Sequence, residues 1–324
     1  MSKIFTSGLK DHMSEFIAEK HALGFPYIES ERITANFDRF CAENYPGCHT
    51  ITQEMGLHWS IMHEGEGEKS VAIRIGVIRE LARFMQRNGI ESYIIPNDFG
   101  KVSNTRFTPH IFTDKELTAI FTAADNLPIS SRYYTTHLVV PVLFRLLYSC
   151  GLRPAEGRLI KRKNIDLERG TLFIPESKGH KDRLVSMSDD MTALCQKYDS
   201  QMKILCPASE FFFPASRQYS AFSQSWVSDT LWRCWNAAGL GGYSGNKPRP
   251  YDFRHTFATK TLYRWLKEGR ELDNCLPYLS AYMGHAHFEH TAYYIHLVPE
   301  FFPQMSQMDM SRFSKLIPEV HHEI

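Results

Sequence analysis

The chain has 324 residues, 43% of them hydrophobic and 13% aromatic, with 37 Lys/Arg against 36 Asp/Glu for a formal net charge of +1. This length supports two domains with real cores, the composition excludes a disordered chain, and the near-zero charge leaves any case for nucleic acid to motifs. The opening "MSKIFTSGLKDHMSEF" lacks the apolar run of a secretory signal, and seven scattered cysteines without a Cys-x-x-Cys pair fit reduced thiols in a cytoplasmic setting and speak against structural zinc.

Residues 1–94 read as a small helical bundle. Met13, Phe16 and Ile17 share one helical face, as do Ile33, Phe37, Phe40 and Cys41. Further helices are predicted at Met55–Met62 and from Ser70 to Arg87, where Ile75, Ile78, Ala82 and Met85 form an apolar stripe. On that last helix Arg79, Arg83 and Arg87 recur every four residues. Such a row is either a solvated face or a set of phosphate contacts, because stacked like charges are mildly unfavourable without a polyanion. Charge divides unevenly between the two parts of the chain. Residues 1–104 hold 11 Lys/Arg and 14 Asp/Glu, and the rest hold 26 and 22.

The stretch 95–110, "IPNDFGKVSNTRFTPH", lacks periodicity and is read as an interdomain linker. Fully extended, it reaches on the order of 50 Å, enough for two domains to grip one ligand from opposite sides. A second domain, 111–324, opens at "FTDKELTAIF", where Thr113 and Glu116 have capping-box spacing. The most apolar run, "LVVPVLFRLL" at 138–147, contains Pro141 and Arg145 and is too short for a membrane span. Two β-type runs, Thr171–Ile174 and Leu184–Met187, flank the turn "ESKGHKDR"; helices follow around 188–203, 220–238 and 252–268. The expected fold class is mainly α with one small β-hairpin.

Several separated segments place polar residues where a plain core would not want them. They are Arg153 in "GLRPAEG", Lys178 in the hairpin turn, Arg254 in "RPYDFRHTFAT", and His285 with Tyr293 and Tyr294 in "GHAHFEHTAYYIH". Taken singly, Arg153 could cap a helix C-terminus, Lys178 could be a turn lysine, and Arg254 could pair with Asp252 or Glu268. Their order is more telling. Gly-Leu-Arg-x-x-Glu, a hairpin-tip Lys, Arg-His-Thr-Phe-Ala-Thr, Gly-His, and Tyr nine residues after that His together resemble the tyrosine recombinase (phage integrase) family over roughly residues 110–300. The likeness extends more weakly to its helical core-binding domain.

That resemblance implies a mainly α fold and strand exchange on double-stranded DNA through a covalent 3′-phosphotyrosine, in a DNA-bound homotetramer. No metal or nucleotide cofactor is implied, accessory DNA-bending or directionality proteins are conceivable, and the setting would be bacterial, cytoplasmic and nucleoid-associated. Arg153 and Arg254 would clamp the phosphate, since a guanidinium fork holds two of its oxygens and stays charged. Each would be worth about 3–4 kcal/mol of transition-state stabilisation if it resembles an oxyanion-hole donor. Lys178 would protonate the leaving 5′ oxygen, and His285 would bond a phosphate oxygen or help take the tyrosine proton. Lys181 and Arg183 beside the turn, with Arg79, Arg83 and Arg87, are candidate DNA contacts. Where many family members have His three residues before the second Arg, this chain has Tyr251, which can donate a hydrogen bond but offers no imidazolium charge.

On one unbroken helix His285 and Tyr294 would stand about 900° apart, on opposite faces. A break is therefore needed, and Thr291 offers an N-cap for a short helix carrying both tyrosines. The nine-residue spacing selects Tyr294 as nucleophile; Tyr293 points about 100° away. A metal site at His285, His287, His290 and His296 would find its third ligand nowhere obvious and leave Arg153, Lys178 and Arg254 unexplained. The same motif set would also suit a type IB topoisomerase or a catalytically silent DNA-binding relative. The apolar tail "PEFFPQMSQMDMSRFSKLI" either covers its own core or docks on a neighbouring protomer.

Overall fold

The structure, a computed structural model, describes residues 4–101, 108–131, 134–177, 181–215, 220–242, 245, 247–285, 287 and 289–297. The hairpin-tip Lys178 and the C-terminal tail lie outside the described residues, as do the side chains of Lys181 and His296. The chain divides into two compact units, Met1–Phe107 and Thr108–Ile324.

In the first unit α1 (Lys10–Ala22), α2 (Ile28–Asn44), α3 (Gln53–Trp59) and α4 (Glu68–Arg87) pack around Phe16, Phe37, Cys41, Met55, Ile75 and Ile78. Two polar knots fix the loops. The buried Asp38 carboxylate accepts from the backbone N–H groups of Thr6 and Ser7. The buried Arg74 pairs with Glu66 and donates to the carbonyls of Trp59 and Ile61, closing the turn between α3 and α4.

The α4 arginines do not form one stripe of equivalent groups. Arg79 donates to the carbonyls of Ile95, Pro96 and Phe99, while Arg87 pairs with Glu19 and Arg83 stays exposed. Arg79 therefore ties down residues 95–99, the start of the stretch read as the interdomain linker. Ile95 is buried in the first unit's core. The physical reason is that an aperiodic stretch has orphan carbonyls, and a nearby guanidinium fork satisfies three of them.

The second unit starts with α5 (Asp114–Asp125), whose Thr113–Glu116 capping box is fully formed. It continues with α6 (Thr136–Ser149) and α7 (Pro154–Leu159), then an antiparallel sheet in the order β1 (Ile165–Asp166), β2 (Thr171–Ser177), β3 (Lys181–Ser186). α8 (Asp189–Leu205), α9 (Gln224–Ala237), α10 (Pro250–Lys267), α11 (Leu272–Met283), α12 (Glu289–Ala292) and a 3₁₀ turn at Tyr293–Leu297 complete it. Side chains of α5, α6, α8 and α9 enclose one core with Phe144, Phe212, Trp235 and Phe253. A second core joins Ala258 and Leu262 of α10 to Leu276, Leu279, Tyr294 and Ile295. α10 thus lies between the two cores, with Phe253 in one and Ala258 in the other, and its buried polar residues face a seam rather than oil.

Candidate active site

Arg153 is the N-cap residue of α7 and Pro154 opens the helix, a position where its missing N–H costs nothing. Glu156, at the third helical position, accepts the Arg153 backbone N–H at 2.8 Å and its Nη1 at 2.7 Å. On β3, Arg183 reaches the same carboxylate with both terminal nitrogens, at 2.9 and 2.7 Å. Burial alone would push the Glu156 carboxyl up. The bonds and charge of Arg183, joined by those from Arg153, overcome that and hold it at about 2.

Arg254 is fully buried on α10, behind a first turn locked by Asp252, which accepts the Arg249 backbone N–H at 2.8 Å. It pairs with neither Asp252 nor Glu268. Its Nη1 donates to Gly151 O and its Nη2 to Met283 O, both at 2.6 Å. The third nitrogen, Nε, has no hydrogen-bond partner among the described residues. Burial lowers the guanidinium from its ordinary value, yet a group this basic stays charged.

The end of α11 gathers the three arginines. Its last carbonyls are orphaned by the helix geometry, and Gly284 terminates it in the left-handed conformation at φ 65°. Arg183 Nε donates to Tyr282 O at 3.1 Å, Arg254 to Met283 O, and Arg153 Nη2 to Gly284 O at 2.7 Å. Three consecutive carbonyls thus fix three guanidiniums drawn from α7, β3 and α10. A helix C-terminus is the favourable place for that much positive charge.

The chain then turns back. His285 Nδ1 meets Thr291 Oγ1 at 2.7 Å, and the Tyr294 ring stacks on the His285 ring at 6.0 Å and 22°. Burial first, then Arg254 and Arg153, lower the His285 pKa to about 3, so this imidazole is neutral at pH 7. Tyr294 is 2% exposed; burial raises its pKa to about 12 against the pull of Arg254. Tyr251, half-buried on α10, packs its ring 5.0 Å from His255.

Arg153, Arg254, His285 and Tyr294 therefore meet in one place, with Tyr251 beside them. Arg183, the candidate DNA contact beside the turn, spends its guanidinium on Glu156 and Tyr282 O and is 7% exposed, tucked under the α11 terminus. Thr291 departs from its expected place. It lies inside α12 rather than capping it, since Gly284 already ends the preceding helix, and its buried hydroxyl holds His285 instead. Glu156 and His255 stand in the quoted motifs, Gly-Leu-Arg-x-x-Glu and Arg-His-Thr-Phe-Ala-Thr, but the motifs alone assign neither a role; their contacts with Arg153, Arg183 and Tyr294 come from the fold.

Two clamped guanidiniums, a neutral imidazole and a buried phenol are groups that can together bind an oxyanion and supply a hydroxyl to attack it, chemistry that suits phosphoryl transfer. The phage integrase family model matches residues 110–300, and the chain belongs to that family, the tyrosine recombinases that break and rejoin DNA. A Sinorhizobium fredii protein, y4rB, carrying the name of an integrase/recombinase, is 29% identical over 91% of this chain and 94% of its own length. Tyrosine recombinase XerC of Oceanobacillus iheyensis is 25% identical over 74% of each chain. A Tn1549 transposon integrase solved with transposon right end DNA superposes with a TM-score of 0.61 at 13% identity, over 87% of this chain and 94% of that one. Among the described residues no helix is long and apolar enough to cross a membrane.

Proposed function

We propose that the chain is a site-specific recombinase of a mobile element, cutting each strand through a 3′-phosphotyrosine at Tyr294 and exchanging strands within a tetramer on double-stranded DNA. The observation that carries this reading is the placement of the Tyr294 phenol: buried, stacked on His285 and within the field of Arg254 and Arg153. Arg153 and Arg254, each already held by a backbone carbonyl, need no reorganisation to receive phosphate oxygens. With Nδ1 engaged by the Thr291 hydroxyl, Nε2 is the His285 ring nitrogen left to meet the phosphate. Tyr251 adds a hydrogen bond there, and Lys178 on the hairpin protonates the departing 5′ oxygen. The Tn1549 integrase structure with transposon right end DNA supports DNA as the partner. The first unit acts as a second clamp, for which Arg83 and the weakly paired, exposed Arg87 are available.

A phenol held at about 12 costs about 7 kcal/mol to ionise freely at pH 7, which favours attack concerted with proton loss. The test uses DNA duplexes flanking the coding gene and looks for a covalent protein–DNA adduct resistant to detergent. Tyr294→Phe abolishes it while DNA binding survives. An adduct kept in Tyr294→Phe and lost in Tyr293→Phe would overturn the assignment.

A further inference from the structure

Concerted attack needs a proton acceptor beside Tyr294. The guanidiniums of Arg153 and Arg254 carry no lone pair for one. His285 has its Nδ1 engaged with Thr291 and lies stacked on the phenol ring, an arrangement suited to contacting phosphate. Tyr251 is itself a phenol. The other imidazole is His255, whose ring centroid lies 5.6 Å from that of Tyr294 at 56°. It stands one helical turn beyond Tyr251, on the same face of α10, next to Arg254 in the chain. Its Nδ1 is buried without a hydrogen-bond partner among the described residues. A buried nitrogen left unmet carries a desolvation cost that packing does not repay, so a task in the reaction is the better account of it.

We propose that His255 is the proton acceptor for Tyr294. The inference rests on Tyr294 being the nucleophile. As Tyr294 Oη bonds to phosphorus, its O–H bond breaks and the proton passes to the imidazole. The phosphorus–O5′ bond breaks with its electron pair on O5′, which takes a proton from the general acid assigned to Lys178. In rejoining, a 5′-hydroxyl attacks phosphorus and gives its proton back to the amine assigned to Lys178, while the phosphorus–Oη bond breaks and the imidazolium returns its proton to the tyrosine oxygen.

The surroundings suit a base that stays unprotonated until substrate arrives. Burial first, then Arg249 and Arg254, lower the His255 pKa to about 4, and the groups packed on it, Tyr251, Tyr293 and Tyr294, are phenols. A phosphate seated on Arg254 offsets part of that positive field, so the imidazolium becomes easier to form in the DNA complex than in the free protein.

The test compares full-length wild type with His255→Asn, close in size and able to hydrogen-bond but not to take a proton. Single-turnover adduct formation is followed on the same flanking duplexes. The expected result is a rate lower by about 10²-fold with DNA binding unchanged. Replacing Tyr294 in the His255→Asn protein by 3,5-difluorotyrosine, a more acidic phenol, should recover most of the loss. A His255→Asn rate within about threefold of wild type overturns the proposal, as does a loss that the acidic phenol leaves in place. An adduct that persists in Tyr294→Phe would instead sink the nucleophile assignment, whatever His255→Asn shows.

Discussion

Glu156→Gln keeps the shape of the side chain and removes the charge that holds two arginines. Folding lowers this carboxyl from the 4.5 of a free glutamate to about 2, and it is only 11% exposed. That difference corresponds to about 3 kcal/mol of stabilisation at pH 7. The sign follows from the depressed value: the contribution is complete above about pH 4.5 and drains away as pH falls through about 2, reaching about 2 kcal/mol at pH 3.5. The assay is urea denaturation followed by tryptophan emission, which reports chiefly on the second unit because four of the five tryptophans (226, 232, 235 and 265) lie there. Wild type should exceed Glu156→Gln by about 3 kcal/mol at pH 7, with the gap narrowing by about 1 kcal/mol at pH 3.5. Taking the difference between the two proteins cancels every other titrating group. A gap under about 1 kcal/mol at pH 7, or one that does not narrow in acid, would refute the view that Glu156 anchors Arg153 and Arg183 through its charge.

Gly151 sits at φ +57°, and a Cβ there would come within 2.4 Å of the Phe257 ring. Gly151→Ala should therefore cost about 1–3 kcal/mol by denaturation and slow cleavage, because the carbonyl that steadies Arg254 must shift. Thr291→Val removes the hydroxyl on His285 without changing volume; cleavage should fall about tenfold while Thr291→Ser stays near wild type, and equal rates for all three would remove Thr291 from the site. Both His285 and His255 are held below the ordinary histidine value of 6.5, so the unfolded chain binds their protons first. Stability should thus decline as pH falls from about 6.5 toward 4, in chemical denaturation at pH 7.5 and 5.5.

The element plan was legible because it is written locally. The Thr113–Glu116 box, the stripe of Ile75, Ile78, Ala82 and Met85, and the two β-type runs flanking "ESKGHKDR" depend on neighbours within a turn or a hairpin, and helices and strands form at each, the strands extending into that stretch to Ser177 and from Lys181. The family likeness rests on the order of short motifs, which the chain also displays openly. Strand β1, two residues long, was too short to carry a period and was not foreseen.

What the arginines do was not legible. Arg79 and Arg183 have the same local character as any surface arginine, and only folding shows one tied to the carbonyls of 95–99 and the other to Glu156. Thr291 carried an N-cap signature, but a left-handed Gly284 had already ended the helix, freeing the hydroxyl for His285. The sequence by itself determined the helical framework, the motif order and the nine-residue step from His285 to Tyr294. Tertiary structure alone decided that three carbonyls at the end of α11 would collect guanidiniums from positions 153, 183 and 254. A helix terminus leaves those carbonyls unmet wherever it forms, but which distant donors arrive to meet them is settled only by how the cores on either side of α10 pack.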